Sequence, residues 1–186
     1  MAKIDLDIQT QRLRLVAMTA ELARLQIEDR DAFFDALDVM PEATWPPELM
    51  DDEVLTWLRN RFDADPGEAG WLFWAFIWPG AGGQAGRLVG GGGFKGQPNS
   101  AGEIEIGYSM LISFREQGLA TEAVEGLLDW AETDDRVKLV LAKTLPHLAA
   151  SRRVLEKTGF TEIGEAEEDG QTVMVYERQP RRAEAA

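Results

Sequence analysis

The stretch "SFREQGLATEAVEGLLDWA", residues 113–131, decides how the rest of the chain is read. Ala120, Ala123, Val124, Leu127, Leu128 and Ala131 recur at helical spacing, which predicts a helix over about 118–131 docked by that face on a sheet. Glu122, Glu125 and Asp129 fall on the other side and are expected to point to solvent. The preceding "GEIEIGYSMLIS" (102–113) alternates and reads as a strand ending near Ile112. A strand that runs into a glycine-led helix leaves the first N–H groups of that helix without intrahelical acceptors, at the positive end of its dipole. Gly118 lets an anion approach closely, and Ala120 keeps the entrance narrow. Such a site holds a pyrophosphate without any lysine. Arg115 can close over it or pair elsewhere. The competing reading is a glycine-led helix with no ligand.

Outward from this unit, "RLRLVAM" (12–18) alternates as a first strand, and "ELARLQIEDRDAFFDALDVM" (21–40) is apolar at helical spacing. "PEATWPP" (41–47) is a loop, and "MDDEVLTWLRNRF" (50–62) opens on acids like a helix N-terminus. "GWLFWAFIWPG" (70–80) and "GRLVGGGGF" (86–94) flank a glycine-rich turn and form a hairpin. "VKLVLAKTL" (137–145) is nearly continuous in apolar residues, as a parallel strand covered on both faces should be. "LAASRRVLEKTGF" (148–160) is a helix ended by Gly159, and 161–178 is a hairpin around "EDG". The fold class is mixed α/β, with α+β character: an antiparallel meander, a β-α-β unit, a helix and a last hairpin. Nothing breaks the composition, so residues 1–186 read as one domain with a folded core over about 11–178 and a frayed tail at 179–186.

Composition removes several classes of function. The chain has no cysteine and one histidine, His147, which excludes thiolate and multi-histidine metal sites and a cysteine nucleophile. No metal is expected. The net charge of −14 argues against a nucleic-acid partner and favours a cationic substrate or mere solubility. The longest apolar run, "WLFWAFIW" (71–78), is too short to span a membrane, and "MAKIDLDIQTQ" lacks a signal-peptide pattern, so a cytoplasmic location is expected. "GGGFKG" (91–96) fits a dinucleotide-binding spacing but lies in a hairpin strand with no helix after it.

"REQGLATEA" (115–123) matches the R/Q-x-x-G-x-G/A signature of the GNAT superfamily of N-acetyltransferases. With "EIGYSMLISF" before it and "TLPHLAASRRVLEKTGF" after it, the chain resembles the RimJ/RimL-type branch, which includes ribosomal-protein N-terminal acetyltransferases. The resemblance implies a central mixed sheet whose fourth and fifth strands splay apart around acetyl-CoA as cosubstrate. It implies that backbone N–H groups of Gln117, Gly118, Leu119, Ala120 and Thr121 cradle the pyrophosphate. Main-chain groups of Leu111 and Ile112 are implied to pair with the pantetheine arm and polarise the thioester carbonyl. The resemblance implies a primary-amine acceptor, on a small molecule or a peptide, and is compatible with a homodimer. Leu148 departs from the pattern, which usually carries Asn there. Another acyl-CoA, or CoA-dependent regulation without turnover, are the rival functions.

Acetyl transfer needs a neutral amine and a stabilised or protonated thiolate. Glu105, on the polar face of the 102–113 strand, is the preferred base, directly or through water, with Glu103 in reserve. The alternative for Glu105 is a carboxylate paired with an arginine. Tyr108 and Ser151 are candidates to protonate the thiolate, against core packing for Tyr108 and a helix-side hydroxyl for Ser151. His147 is expected to be a solvated loop histidine. Arg153, with Arg152 and Lys157, either meets the CoA 3′-phosphate or forms a solvated face paired to Glu156 or Asp134. Trp45, in the loop after the first helical stretch, either lines the acceptor pocket or caps the core.

Overall fold

A computed structural model describes residues 6–48 and 50–181. Residues 182–186, most of the expected tail, lie outside the described residues. Eight strands form one sheet in the order β1-β2-β3-β4-β5-β6-β8-β7. They are β1 Asp7–Gln9, β2 Arg14–Ala17, β3 Phe73–Trp78, β4 Arg87–Phe94, β5 Glu103–Met110, β6 Leu139–Thr144, β7 Thr161–Glu168 and β8 Gln171–Arg178. The helices are α1 Ala20–Glu28, α2 Arg30–Leu37, α3 Asp52–Ala64, α4 Leu119–Ala131 and α5 Ala149–Lys157. No helix among the described residues is long and apolar enough to cross a membrane.

Three expectations need correction. β1 precedes the strand read as first, so the folded part begins before residue 11. Residues 21–40 form two helices rather than one, because Asp29 leaves the helical conformation (φ −149°, ψ 85°) and its side chain accepts from the Ala32 N–H at 3.1 Å. That carboxylate satisfies one of the orphan donors of a new helix, which restarts the chain in another direction. β6 is not covered on both faces: Val140, Ala142 and Thr144 are buried, while Leu139, Leu141 and Lys143 are half-exposed.

Register assigns the two faces. Trp74, Gly92 and Tyr108 are aligned across β3, β4 and β5, as are Phe94 and Ile106 across β4 and β5. Trp130 of α4 packs on Trp74 and Phe94 at ring-centroid distances of 5.1 and 6.1 Å, so α4 covers this face. Phe73, Gly93 and Gly107 define the opposite face, where Trp45 packs on Phe73 at 6.4 Å. Val124, Leu127 and Leu128 of α4 are fully buried, each contributing about 1.5–3 kcal/mol by leaving water. A buried ion pair between Arg178 of β8 and Glu132, just after α4, ties the far end of that helix to the sheet.

The strand that leads to α4 is the one that parts from its neighbour. β5 and β6 pair in parallel only from Glu103↔Leu139 to Ile106↔Ala142. β5 then continues with β4 to Met110, and β6 continues with β8 to Thr144. Beyond Ile106 the sheet is therefore split.

Candidate active site

Alternation along β5 decides which main-chain groups border the split. The Lys95 N–H donates to the Glu105 carbonyl at 3.0 Å, and the Leu111 N–H donates to the Val89 carbonyl at 2.9 Å. Odd-numbered residues of this antiparallel pair thus spend their backbone groups on β4, and Tyr108 and Met110 turn theirs toward the gap. Leu111 does not fit its expected role: its N–H is used, and its carbonyl accepts from Phe114 at 2.9 Å. Ile112 is exposed in a short 3₁₀ turn, and its carbonyl accepts from the Arg115 N–H. The Met110 carbonyl accepts from Arg115 Nε at 3.1 Å.

The Arg115 guanidinium also pairs with Glu48 at 2.6 Å, so it braces the end of β5 rather than lying across the helix entrance. Gly118 caps α4 at φ 75°, with Glu116 at φ 61° two residues earlier. No side chain among the described residues caps α4, and its first internal bond is Glu122 N–H to the Gly118 carbonyl, 3.2 Å. The N–H groups of Leu119, Ala120 and Thr121 therefore precede the helical ladder. Among the described residues a Cβ on Gly118 would meet only Arg12, at 3.5 Å, so the space before the helix is open. This cradle fits a phosphate-bearing group.

Glu122 overturns the solvent-facing expectation. Its carboxylate accepts from Thr10 Oγ1 and the Arg12 N–H, both at 2.6 Å, and pairs with Arg12 Nε at 2.7 Å. Burial alone would raise its pKa, but the hydrogen bonds from Thr10 and Arg12 outweigh burial and hold it below the ordinary carboxylate value. Arg12 also donates to the Gln117 carbonyl at 3.0 Å, and the Gln117 side chain donates to Ser113. Sequence reasoning missed Arg12. The contact spans more than a hundred residues, and "TQRLRL" carries no local sign of it.

Tyr108 and Ser151 come together. From β5 the Tyr108 hydroxyl donates to the Ser151 carbonyl of α5 at 3.0 Å and lies 3.3 Å from Ser151 Oγ. Burial pushes the phenol up to about 12, against the opposing hydrogen bond to Ser151. Leu148 opens α5 without a side-chain cap, where an Asn would supply one. His147 is exposed in the loop before it. Arg153 is exposed, with no ion pair among the described residues. Arg152 bonds the Tyr176 hydroxyl at 3.0 Å and Glu162 at 3.4 Å, not Glu156 or Asp134.

Glu103 and Glu105 lie on the opposite face of β5 from Tyr108. Glu105 is paired with Lys95 and with Lys143, the latter at 3.4 Å, so its partners are lysines rather than an arginine. Glu103 accepts from the Asn99 side chain at 3.0 Å. Both carboxylates border a cleft of about 220 Å³ on that face, together with Lys95, Gln97, Asn99 and Leu141. Trp45 does not reach it. It is 2 % exposed and stacks on Phe33 at 6.0 Å, which makes it a core residue with no surface for an acceptor.

The site is thus a sheet split beside a glycine-led helix, with a half-buried phenol–hydroxyl pair beside the gap. A family model described as "Acetyltransferase (GNAT) domain" matches residues 20–161. The chain belongs to the GNAT acetyltransferase family and is an N-acetyltransferase by class. It is 28 % identical over 153 residues to the uncharacterized N-acetyltransferase YjdG of Bacillus subtilis (strain 168), covering 82 % of this chain and 88 % of that one. Its fold is similar to the ribosomal-protein-S5-alanine acetyltransferase of Vibrio fischeri (TM-score 0.66, 12 % identity, 95 % of this chain and 98 % of that one). It is also similar to Mycobacterium smegmatis RimJ in complex with CoA-disulfide (TM-score 0.64, 21 % identity, 95 % and 88 %).

Proposed function

We propose that this chain moves an acetyl group from acetyl-CoA to a primary amine within one ternary complex. The observation that carries the reading is the split between β5 and β6, with the Gly118 cradle and the Tyr108–Ser151 pair beside it. Backbone N–H groups from Gly118 to Thr121 hold the pyrophosphate, and the gap-facing edge of Tyr108 and Met110 pairs with the pantetheine arm. Arg153, exposed on α5, is available to the 3′-phosphate.

The bound cosubstrate supplies a thioester, whose C–S bond breaks as a C–N bond forms to the amine. Tyr108 gives its proton to the departing sulfur, and Ser151 orients the phenol and relays a replacement proton to it from solvent. A phenol with its pKa near 12 is fully protonated at neutral pH, as a donor must be. The amine reaches the sheet from the opposite face, where Glu105 and Glu103 border the cleft. Glu105, held between Lys95 and Lys143, takes the amine proton through a water. An α-amine, with its pKa of about 7.7–8.0, asks less of that base than a lysine at about 10.4. A peptide N-terminus or a small α-amine is the acceptor class that fits.

The test is thiol release from acetyl-CoA in the presence of amine-terminated peptides and small amines. Amine-dependent release with stoichiometric acetylation supports the reading. Cosubstrate binding with no release for any amine overturns it.

A further inference from the structure

We infer that Arg12, on the turn between β1 and β2, is a positioning residue that sets the peptide plane at the entrance of the pyrophosphate cradle. The inference rests on the cradle reading of Gly118 given above. Arg12 Nη1 donates to the Gln117 carbonyl at 3.0 Å. That carbonyl belongs to the same trans peptide as the Gly118 N–H, and in a trans peptide the two groups point in opposite directions. Fixing the carbonyl on Arg12 therefore turns the Gly118 N–H away from Arg12, where it has no acceptor among the described residues.

The flanking backbone needs such a hold. Glu116 and Gly118 both have positive φ, so Gln117 and its peptide to Gly118 lie between two left-handed residues. A run of N–H groups turned to one side by left-handed residues forms an anion-binding concavity. It works only if the intervening peptide does not flip and present its carbonyl.

Arg12 is itself held by Glu122, and Thr10 steadies that carboxylate. Glu122, in the first turn of α4, takes its Nε at 2.7 Å and its backbone N–H at 2.6 Å, and Thr10 donates to the same carboxylate at 2.6 Å. The arrangement also answers an electrostatic problem. An unpaired carboxylate one turn into α4 would repel a pyrophosphate, and Arg12 neutralises it. The N-terminal strands, remote in sequence, thereby become part of the cosubstrate site.

The experiment compares the affinities of wild type and Arg12→Gln for acetyl-CoA and for S-acetylpantetheine, which lacks the pyrophosphate, by calorimetric titration and competition. In the wild type, acetyl-CoA binds far more tightly than the truncated thioester. In Arg12→Gln that ratio falls about tenfold or more, the scale of losing one charge-assisted hydrogen bond and its alignment. Affinity for S-acetylpantetheine itself stays unchanged, which a general loosening of the fold would not produce. Circular dichroism checks folding, and should Arg12→Gln not fold, Arg12→Lys carries the test, since it keeps the charge and loses the fork. An unchanged ratio in a folded variant overturns the inference and leaves the cradle standing. A wild type that binds both thioesters equally overturns the cradle reading itself.

Discussion

Removing one oxygen from Tyr108 separates its structural role from its chemical one. In Tyr108→Phe the ring stays against the core and the contacts to the Ser151 carbonyl at 3.0 Å and hydroxyl at 3.3 Å are lost. The stability cost is that of one neutral hydrogen bond, about 0.5–1.5 kcal/mol. For a chain of this length that lowers the melting temperature by roughly 2–4 °C per kcal/mol. The rate cost is larger if the phenol protonates the leaving thiolate: positioned acids contribute about 10²- to 10⁴-fold. The assay is initial-rate thiol release with acetyl-CoA and amine varied, alongside denaturant melts. The expected result is a fall in kcat of that size with KM for acetyl-CoA little changed, because the cradle lies elsewhere, at Gly118. A kcat within about threefold of wild type, in a folded variant, would refute the assignment of Tyr108 as the acid.

Other expectations follow from particular contacts. Both tyrosines have raised pKa values, chiefly from burial, so a phenolate absorbance titration shows neither at the ordinary 10.0 and Tyr108 at about 12. Because the folded-state pKa is raised, the stability linked to Tyr108 is complete below pH about 10 and is lost as the pH rises toward 12. Glu122 runs the other way: its lowered pKa gives stability present above the unfolded carboxylate value and lost as the pH falls through the folded one. Glu122→Gln therefore flattens the acid limb of the stability profile measured by urea melts. Leu148→Asn adds the cap that α5 lacks and stabilises by about 0.5–1 kcal/mol in a thermal melt. Glu132→Ala leaves Arg178 buried without its partner and costs about 3–5 kcal/mol by denaturant titration.

Much of the fold was legible because its signals are local. Gly118 before an amphipathic run marks the start of α4, alternation marks β5, and "EDG" marks the last hairpin, with Asp169 and Gly170 both at positive φ. The split helix was less visible, since Asp29 interrupts an apolar period that otherwise continues. Partnerships across the chain were not legible at all. Glu122 looks like a solvent-facing acid until β1 and β2 bring Thr10 and Arg12 to it. Alternation along the 102–113 strand already puts Glu105 and Tyr108 on opposite faces, and the sheet register agrees. Trp45 read equally well as a pocket wall or a core residue, because a lone aromatic in a loop carries no sign of its burial. Leu111 looked available until the antiparallel ladder took its N–H and the following 3₁₀ turn its carbonyl.

The most direct test of the central claim is calorimetric titration of the purified chain with acetyl-CoA, repeated on Gly118→Val. The account predicts saturable one-to-one binding by the wild type. In the variant that binding is abolished, because a branched side chain at φ 75° is strained and fills the open entrance. No binding by the wild type, or equal binding by a folded Gly118→Val, would contradict it.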